Sequence, residues 1–136
     1  MQWYEASARK GNRHAMSNLA VLYASGDADA QRNLAEAARW FERSAMLGYL
    51  DAQFNLAVLF ERGDGVPQSL LDAYKWYAIA AEAGDSVAKT RANAIATQFS
   101  PEELQAAQQA VAHFVPQPVD HAANEIPTMA QVLVSG

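Results

Sequence analysis

The sequence predicts an all-α protein: a right-handed α-solenoid of antiparallel helix pairs, with a C-terminal capping helix and an extended tail. Three observations carry that expectation. Aromatic pairs recur at Trp3-Tyr4, Trp40-Phe41 and Trp76-Tyr77, with spacings of 37 and 36 residues. Glycines keep the same beat at Gly11, Gly48 and Gly84. The segment Asn18-Leu19-Ala20-Val21-Leu22-Tyr23 is matched by Asn55-Leu56-Ala57-Val58-Leu59-Phe60, and Gly26 and Gly63 follow at the same offset. Aromatic, glycine and aliphatic positions agree together, which chance rarely arranges.

The elements follow in chain order. Residues 2–10 align with the second helix of a unit whose first helix is absent, so the chain reads as a piece of something longer that begins in mid-repeat. Residues 12–47 form the first full unit and 49–83 the second. In the second unit, helix A is expected from Asp51 to Arg62, because Ala52, Leu56, Leu59, Phe60 and Gly63 fall on one helical face. Helix B is expected from Leu70 to Ala83, with Ala73, Trp76, Tyr77 and Ala80 on its stripe. Asn33 with Glu36, and Ser69 with Asp72, place a capping side chain and an acid in the first turn. Gly48 and Gly84 stand where a helix ends in a left-handed residue. Gly63-Asp64-Gly65-Val66-Pro67 breaks helix A, while Gly26-Asp27-Ala28-Asp29-Ala30 lacks the proline and makes a softer loop.

A partial repeat spans 86–98, where Arg91-Ala92-Asn93 replaces the Asn-Leu-Ala pattern. A capping helix is expected over 100–114, with Ser100 as N-cap, Pro101 at N1 and Glu103 at N3. Its stripe is Leu104, Ala107, Val111 and Phe114, with glutamines opposite. The array therefore covers 1–114 and the tail 115–136. Pro116, Pro118 and Pro127 interrupt that tail, which has no Lys or Arg and reads as a linker or a strap on the array. Its apolar end, Met129 to Val134, is suited to pairing with another segment.

Composition narrows the function. Of 136 residues, 51% are apolar, so a sizeable core can be buried. A net charge of −5 argues against nucleic acid or an anionic membrane as the main partner. No apolar run approaches the ~18 residues of a membrane span, so direct insertion is not expected. Trp3, Tyr4 and Glu5 stand where a signal peptide has its basic and apolar regions. There is no cysteine, hence neither a disulfide framework nor thiolate chemistry.

Catalytic and metal-binding patterns are equally sparse. His14, His113 and His121 have no second ligand at helical spacing, and Asp120 beside His121 lies in the tail. No Gly-x-Ser-x-Gly occurs. Glu102-Glu103 sits in a first helical turn, where the helix dipole explains it. Gly63-x-Gly65 is a turn between helices, and the tryptophans are spaced for packing. No catalytic residue, metal or cofactor is expected.

These residues resemble the Sel-1-like repeat, a relative of the tetratricopeptide repeat. The family pattern is an aromatic pair, two alanines and a glycine, then Ala-x-x-x-Leu-Gly-x-x-Tyr-x-x-Gly-x-Gly-Val-Pro. Trp40 to Pro67 fits it nearly throughout, with Ala57 for the family's glycine and Phe60 for its tyrosine. The resemblance covers residues 3 to about 97. The end of the array (Asp72 to Tyr77, Ser100 to Leu104, then the proline-containing tail) is similar to the periplasmic part of alphaproteobacterial polar localisation factors of the PodJ type. That likeness implies a periplasmic domain of a membrane-anchored bacterial scaffold, with a cytoplasmic location as the alternative.

The resemblance further implies that the A helices line a concave groove. Its candidate partner-binding residues are His14, Ser17, Val21, Asp51, Phe54, Val58, Glu61, Arg62 and Thr90, flanked by Ala24, Ser25, Val87, Ala94 and Thr97. Phe54 and Val58 admit two readings: an exposed anchor for a peptide, or packing against the neighbouring helix or the tail. The function so implied is a non-catalytic protein-interaction scaffold that holds a partner segment in the groove, in cell-pole or envelope organisation. A module that binds or processes cell-wall glycan (peptidoglycan) is the alternative, and the exposed half-repeat at 2–10 offers a surface for self-association.

Overall fold

The structure is a computed structural model and describes residues 2–25 and 33–116. The side chains of residues 2–5, and residues 26–32 and 117–136 altogether, lie outside what is described. So do the expectations for Gly26 to Ala30, for Asp120 and His121, and for Met129 to Val134.

The described residues form α1 (Gln2–Arg9), α2 (Arg13–Ser25), α3 (Leu34–Met46), α4 (Leu50–Arg62), α5 (Leu70–Glu82), α6 (Ser86–Ala96) and α7 (Pro101–Ala112). The expected starts are capped by the expected side chains. Asn33 Oδ1 accepts from the Glu36 N–H at 3.1 Å, and Ser69 Oγ from the Asp72 N–H at 3.1 Å. At α7 the Ser100 Oγ accepts from the Glu103 N–H, and Glu103 Oε1 accepts from the Ser100 N–H at 2.9 Å. Two caps were not foreseen: Asn12 Oδ1 receives the Ala15 N–H and Asp85 Oδ1 the Ala88 N–H. At the other ends, Gly48 and Gly84 take positive φ as expected.

Neighbour packs on neighbour along the array: α1 on α2, α2 on α3, α3 on α4, α4 on α5, α5 on α6. The helix after α6 behaves differently. α7 lies on α5, so the cap closes the array from the B-helix side. Trp76 of α5 meets Phe114 edge-on at 5.3 Å, and Tyr74 meets Phe99 at 5.8 Å. Ala107 and Val111 are buried, Leu104 is half-buried, and Gln105, Gln108 and Gln109 face solvent.

Alanine sets the spacing of the core. Ala20, Ala37, Ala38, Ala45, Ala52, Ala57, Ala73, Ala80 and Ala88 are all buried in one cluster with Phe41, Leu56, Trp76 and Tyr77. Small side chains let the helix axes approach closely, and the aromatics fill the gaps between units. A second cluster, Ala8, Ala15, Met16 and Leu19, joins α1 to α2 and meets the first through Tyr23 and Trp40. Polar ties complete the joint between α2 and α3. Ser44 Oγ donates to the Arg13 carbonyl at 2.6 Å, and Arg13 Nη1 donates to the Leu47 carbonyl at 3.2 Å.

Candidate partner-binding groove

The A helices α2 and α4, with the start of α6, enclose an open groove of about 240 Å³ lined by Ser17, Asn18, Val21, Tyr49, Asp51, Phe54, Asn55 and Asp85. Of the expected residues, Ser17, Val21, Asp51 and Phe54 come together there. They do so because Ser17 and Phe54, like Asn18 and Asn55, occupy the same place in successive repeats, 37 residues apart. The repeat thus copies one helix face into the next.

Their surroundings differ from one residue to the next. Val21 is 46% exposed and forms an open apolar wall. Ser17 is only 4% exposed, so it contributes floor rather than a projecting contact. Asp51 accepts from the Tyr49 hydroxyl at 3.3 Å. Phe54 is half-buried, meets Tyr77 edge-on at 5.5 Å, and carries the Arg91 guanidinium 5.2 Å above its ring centre. Of its two readings, packing against the neighbouring helix is the one seen, with part of the ring left on the groove.

The remaining candidates line up elsewhere. His14 sits beside the groove, with its ring edge-on to Tyr49 at 4.4 Å. Burial holds its pKa below the ordinary histidine value, the Arg13 charge adds to this, and Asp51 opposes it. Val58 is half-buried against the core cluster. Glu61 accepts from the Tyr77 hydroxyl at 2.8 Å. Arg62 and Thr90 are exposed, and the Thr90 hydroxyl donates back to the Ser86 carbonyl. Ala24 is half-buried, and Ser25, Val87, Ala94 and Thr97 are exposed around the same face.

Sequence reasoning missed Asn18, Asn55, Tyr49, Asp85 and Arg91. Asn18 and Asn55 were visible as part of the matched Asn-Leu-Ala-Val-Leu segment, but were counted as repeat signature. Their recurrence one step away from the apolar stripe was the available signal. Asp85 is an N-cap, and Tyr49 holds the N-cap position of α4 without a side-chain capping bond. Burial pushes the Tyr49 hydroxyl pKa up, and the Asp51 charge and hydrogen bond push it the same way.

Beyond Phe54 lies a polar relay. Arg91 Nη1 donates to the Tyr77 hydroxyl oxygen at 3.2 Å, and that hydroxyl donates to Glu61. Burial raises the Tyr77 pKa; the Arg91 hydrogen bond opposes this, and Glu61 reinforces it. Bonding to Tyr77 raises the Arg91 pKa further. Among the described residues, no group of three or more His, Asp or Glu side chains is placed to hold a metal ion. Among them also, no helix is long and apolar enough to cross a membrane. The groove offers amides, carboxylates and an apolar wall.

Neighbour-on-neighbour packing and a groove along the A helices define a helical-repeat solenoid. The chain belongs to the Sel1-repeat family, whose repeat matches residues 1–12, 13–49 and 50–85. Helices α6 and α7 fall past that match, which is shorter than the resemblance drawn to about residue 97. The fold is similar to that of a protective antigen present in uropathogenic Escherichia coli strains, which displays an SLR fold. The TM-score is 0.78 at 23% identity over 83% of this chain and 24% of that one. It is also similar to a Sel1 repeat protein from Oxalobacter formigenes, with TM-score 0.65 and 32% identity over 68% of each chain. The chain thus spans about a quarter of the length of the first of these. No curated protein matches it. Sel1 repeats are commonly protein-interaction scaffolds.

Proposed function

We propose that the chain is a non-catalytic module that holds an extended segment of a partner protein in the groove along α2, α4 and α6. The observation that carries this reading is the lining of that groove. Val21 and Phe54 supply apolar contact, while the Asn18 and Asn55 amides each combine donor and acceptor. Two such amides in register suit the alternating donors and acceptors of a peptide main chain. A rigid array presents them without a large ordering cost on binding.

Val21→Glu is the sharpest test, because Val21 is exposed and its loss costs the core little. Partner capture by the purified protein is expected to fall by tenfold or more, with the melting temperature unchanged; roughly this follows from placing a charge in a desolvated contact. Capture that survives both Val21→Glu and Asn55→Ala would remove the groove from the account. Peptidoglycan fragments make the second arm of the same assay. Saturable binding that Val21→Glu abolishes would replace the peptide by a glycan.

A finer form of the reading gives the module a place in organising a bacterial cell pole or envelope, and a periplasmic location with it. It rests on the C-terminal likeness alone. Protease accessibility in intact, outer-membrane-permeabilised cells tests the location: a protected chain would put it in the cytoplasm.

A further inference from the structure

Arg91 occupies the position on α6 that Asn55 occupies on α4 and Asn18 on α2. The A helices therefore present amide, amide and guanidinium in one row. The first two line the groove, and the third borders it at Phe54. This guanidinium is held in place. It lies over the Phe54 ring at 5.2 Å and the Tyr77 ring at 5.8 Å, and one of its nitrogens is bound to the Tyr77 hydroxyl. Tyr77 is in turn anchored to Glu61.

The guanidinium keeps donors to offer. Arg91 has no carboxylate within ion-pair distance among the described residues; Glu61 accepts from the Tyr77 hydroxyl and acts on Arg91 only through its charge. Only Nη1 is engaged by a hydrogen bond, so most of the five N–H donors of the fork remain for a ligand. A planar fork stacked on aromatic rings matches a carboxylate, and its ordering entropy is already spent in the unbound protein.

The geometry points to Arg91 as the receptor for an acidic side chain, Asp or Glu, of the segment bound in the groove. This inference rests on the groove reading above and adds the partner's chemistry to it. One feature chooses an internal side chain over a chain end. The surface stays open past Arg91, where Val87 and Ala94 are exposed, so a bound segment need not stop there. Asp51 and Asp85 also line the groove and repel a further acid, so the preference is expected at one position of the segment only.

The test is a bead-displayed library of random peptides, acetylated and amidated so that no chain-terminal charge is present. It is panned against the wild type, R91Q, R91K and V21E. Wild type is expected to enrich peptides with Asp or Glu at one fixed position. R91Q loses that preference and binds the best wild-type peptide about tenfold or more weakly, while R91K, which keeps the charge without the fork, falls between. Arg91 is exposed and Tyr77 keeps its bond to Glu61 without it, so circular dichroism of R91Q should match wild type and melting should fall only slightly. Enriched peptides with no acidic position overturn the inference even without a variant. Enrichment that depends on Val21 but is the same for R91Q overturns the inference and leaves the groove reading standing. Absence of any Val21-dependent enrichment overturns both.

Discussion

At Gly65 a side chain has no room. Its φ is +75°, and a Cβ built there would run into the backbone carbonyl of Leu34 at the start of α3. The loop after α4 is thus pressed against the preceding unit, and backbone is the group it meets. Gly65→Ala should cost about 1–3 kcal/mol through strain and displacement, read as a lower urea midpoint with an unchanged slope. The glycine was legible as a turn residue, but the reason for it was not, because the collision is with a residue 31 positions earlier. His14 gives a second prediction at this scale. Its pKa is lowered by folding, so the neutral ring is the favoured folded form. As pH falls below the ordinary histidine value near 6.5, the unfolded chain takes up a proton first and stability declines. The denaturation midpoint should therefore drop on going from about pH 7.5 to about pH 5.5, and drop less in His14→Gln. An equal drop in both proteins would assign the effect to other groups. The groove shows the same limit of sequence reading. Ser17, Val21, Asp51 and Phe54 were placed on one groove by the resemblance to tetratricopeptide-like arrays, yet Arg91 was read as a break in the pattern, because its partner Tyr77 lies on another helix and was assigned to the core stripe.

Helices were the most legible level, since both their apolar spacing and their caps are local properties. The cap at Ser100 is a self-contained box, and its serine and glutamate lie three residues apart. Ser100→Ala should cost about 1 kcal/mol. The effect should appear as faster amide exchange in the first turn of α7, with α2 to α4 unmoved. What sequence could not supply was the partner of α7. Its stripe of Leu104, Ala107, Val111 and Phe114 says that one face is buried, not against what. The choice of α5 depends on the aromatic contacts of Trp76 with Phe114 and Tyr74 with Phe99. The chain then returns across the array, where Pro116 rests 3.4 Å from the Cβ that Gly48 lacks.

The whole molecule couples its parts through neighbours, so the position of a defect should decide how far it spreads. Leu56 is fully buried in the main cluster, with α3 before its helix and α5 after it. Leu56→Ala removes contacts shared by two interfaces and should cost about 2–5 kcal/mol of global stability. Val111, by contrast, lies at the last interface, on a helix whose chief partner is α5. Val111→Asp places a charge in that last interface, while the helices before α5 keep their packing on one another. Hydrogen exchange resolves the two cases. With Leu56→Ala, protection should fall together across α2 to α6, because the middle of a one-dimensional array cannot open alone. With Val111→Asp, α7 should open first and α5 and α6 lose protection more than α2 and α3. Because the groove is built from α2, α4 and the start of α6, its partner binding should survive Val111→Asp better than Leu56→Ala. If the two variants lose protection in the same pattern, the molecule behaves as one cooperative block and the neighbour-coupled view of it fails.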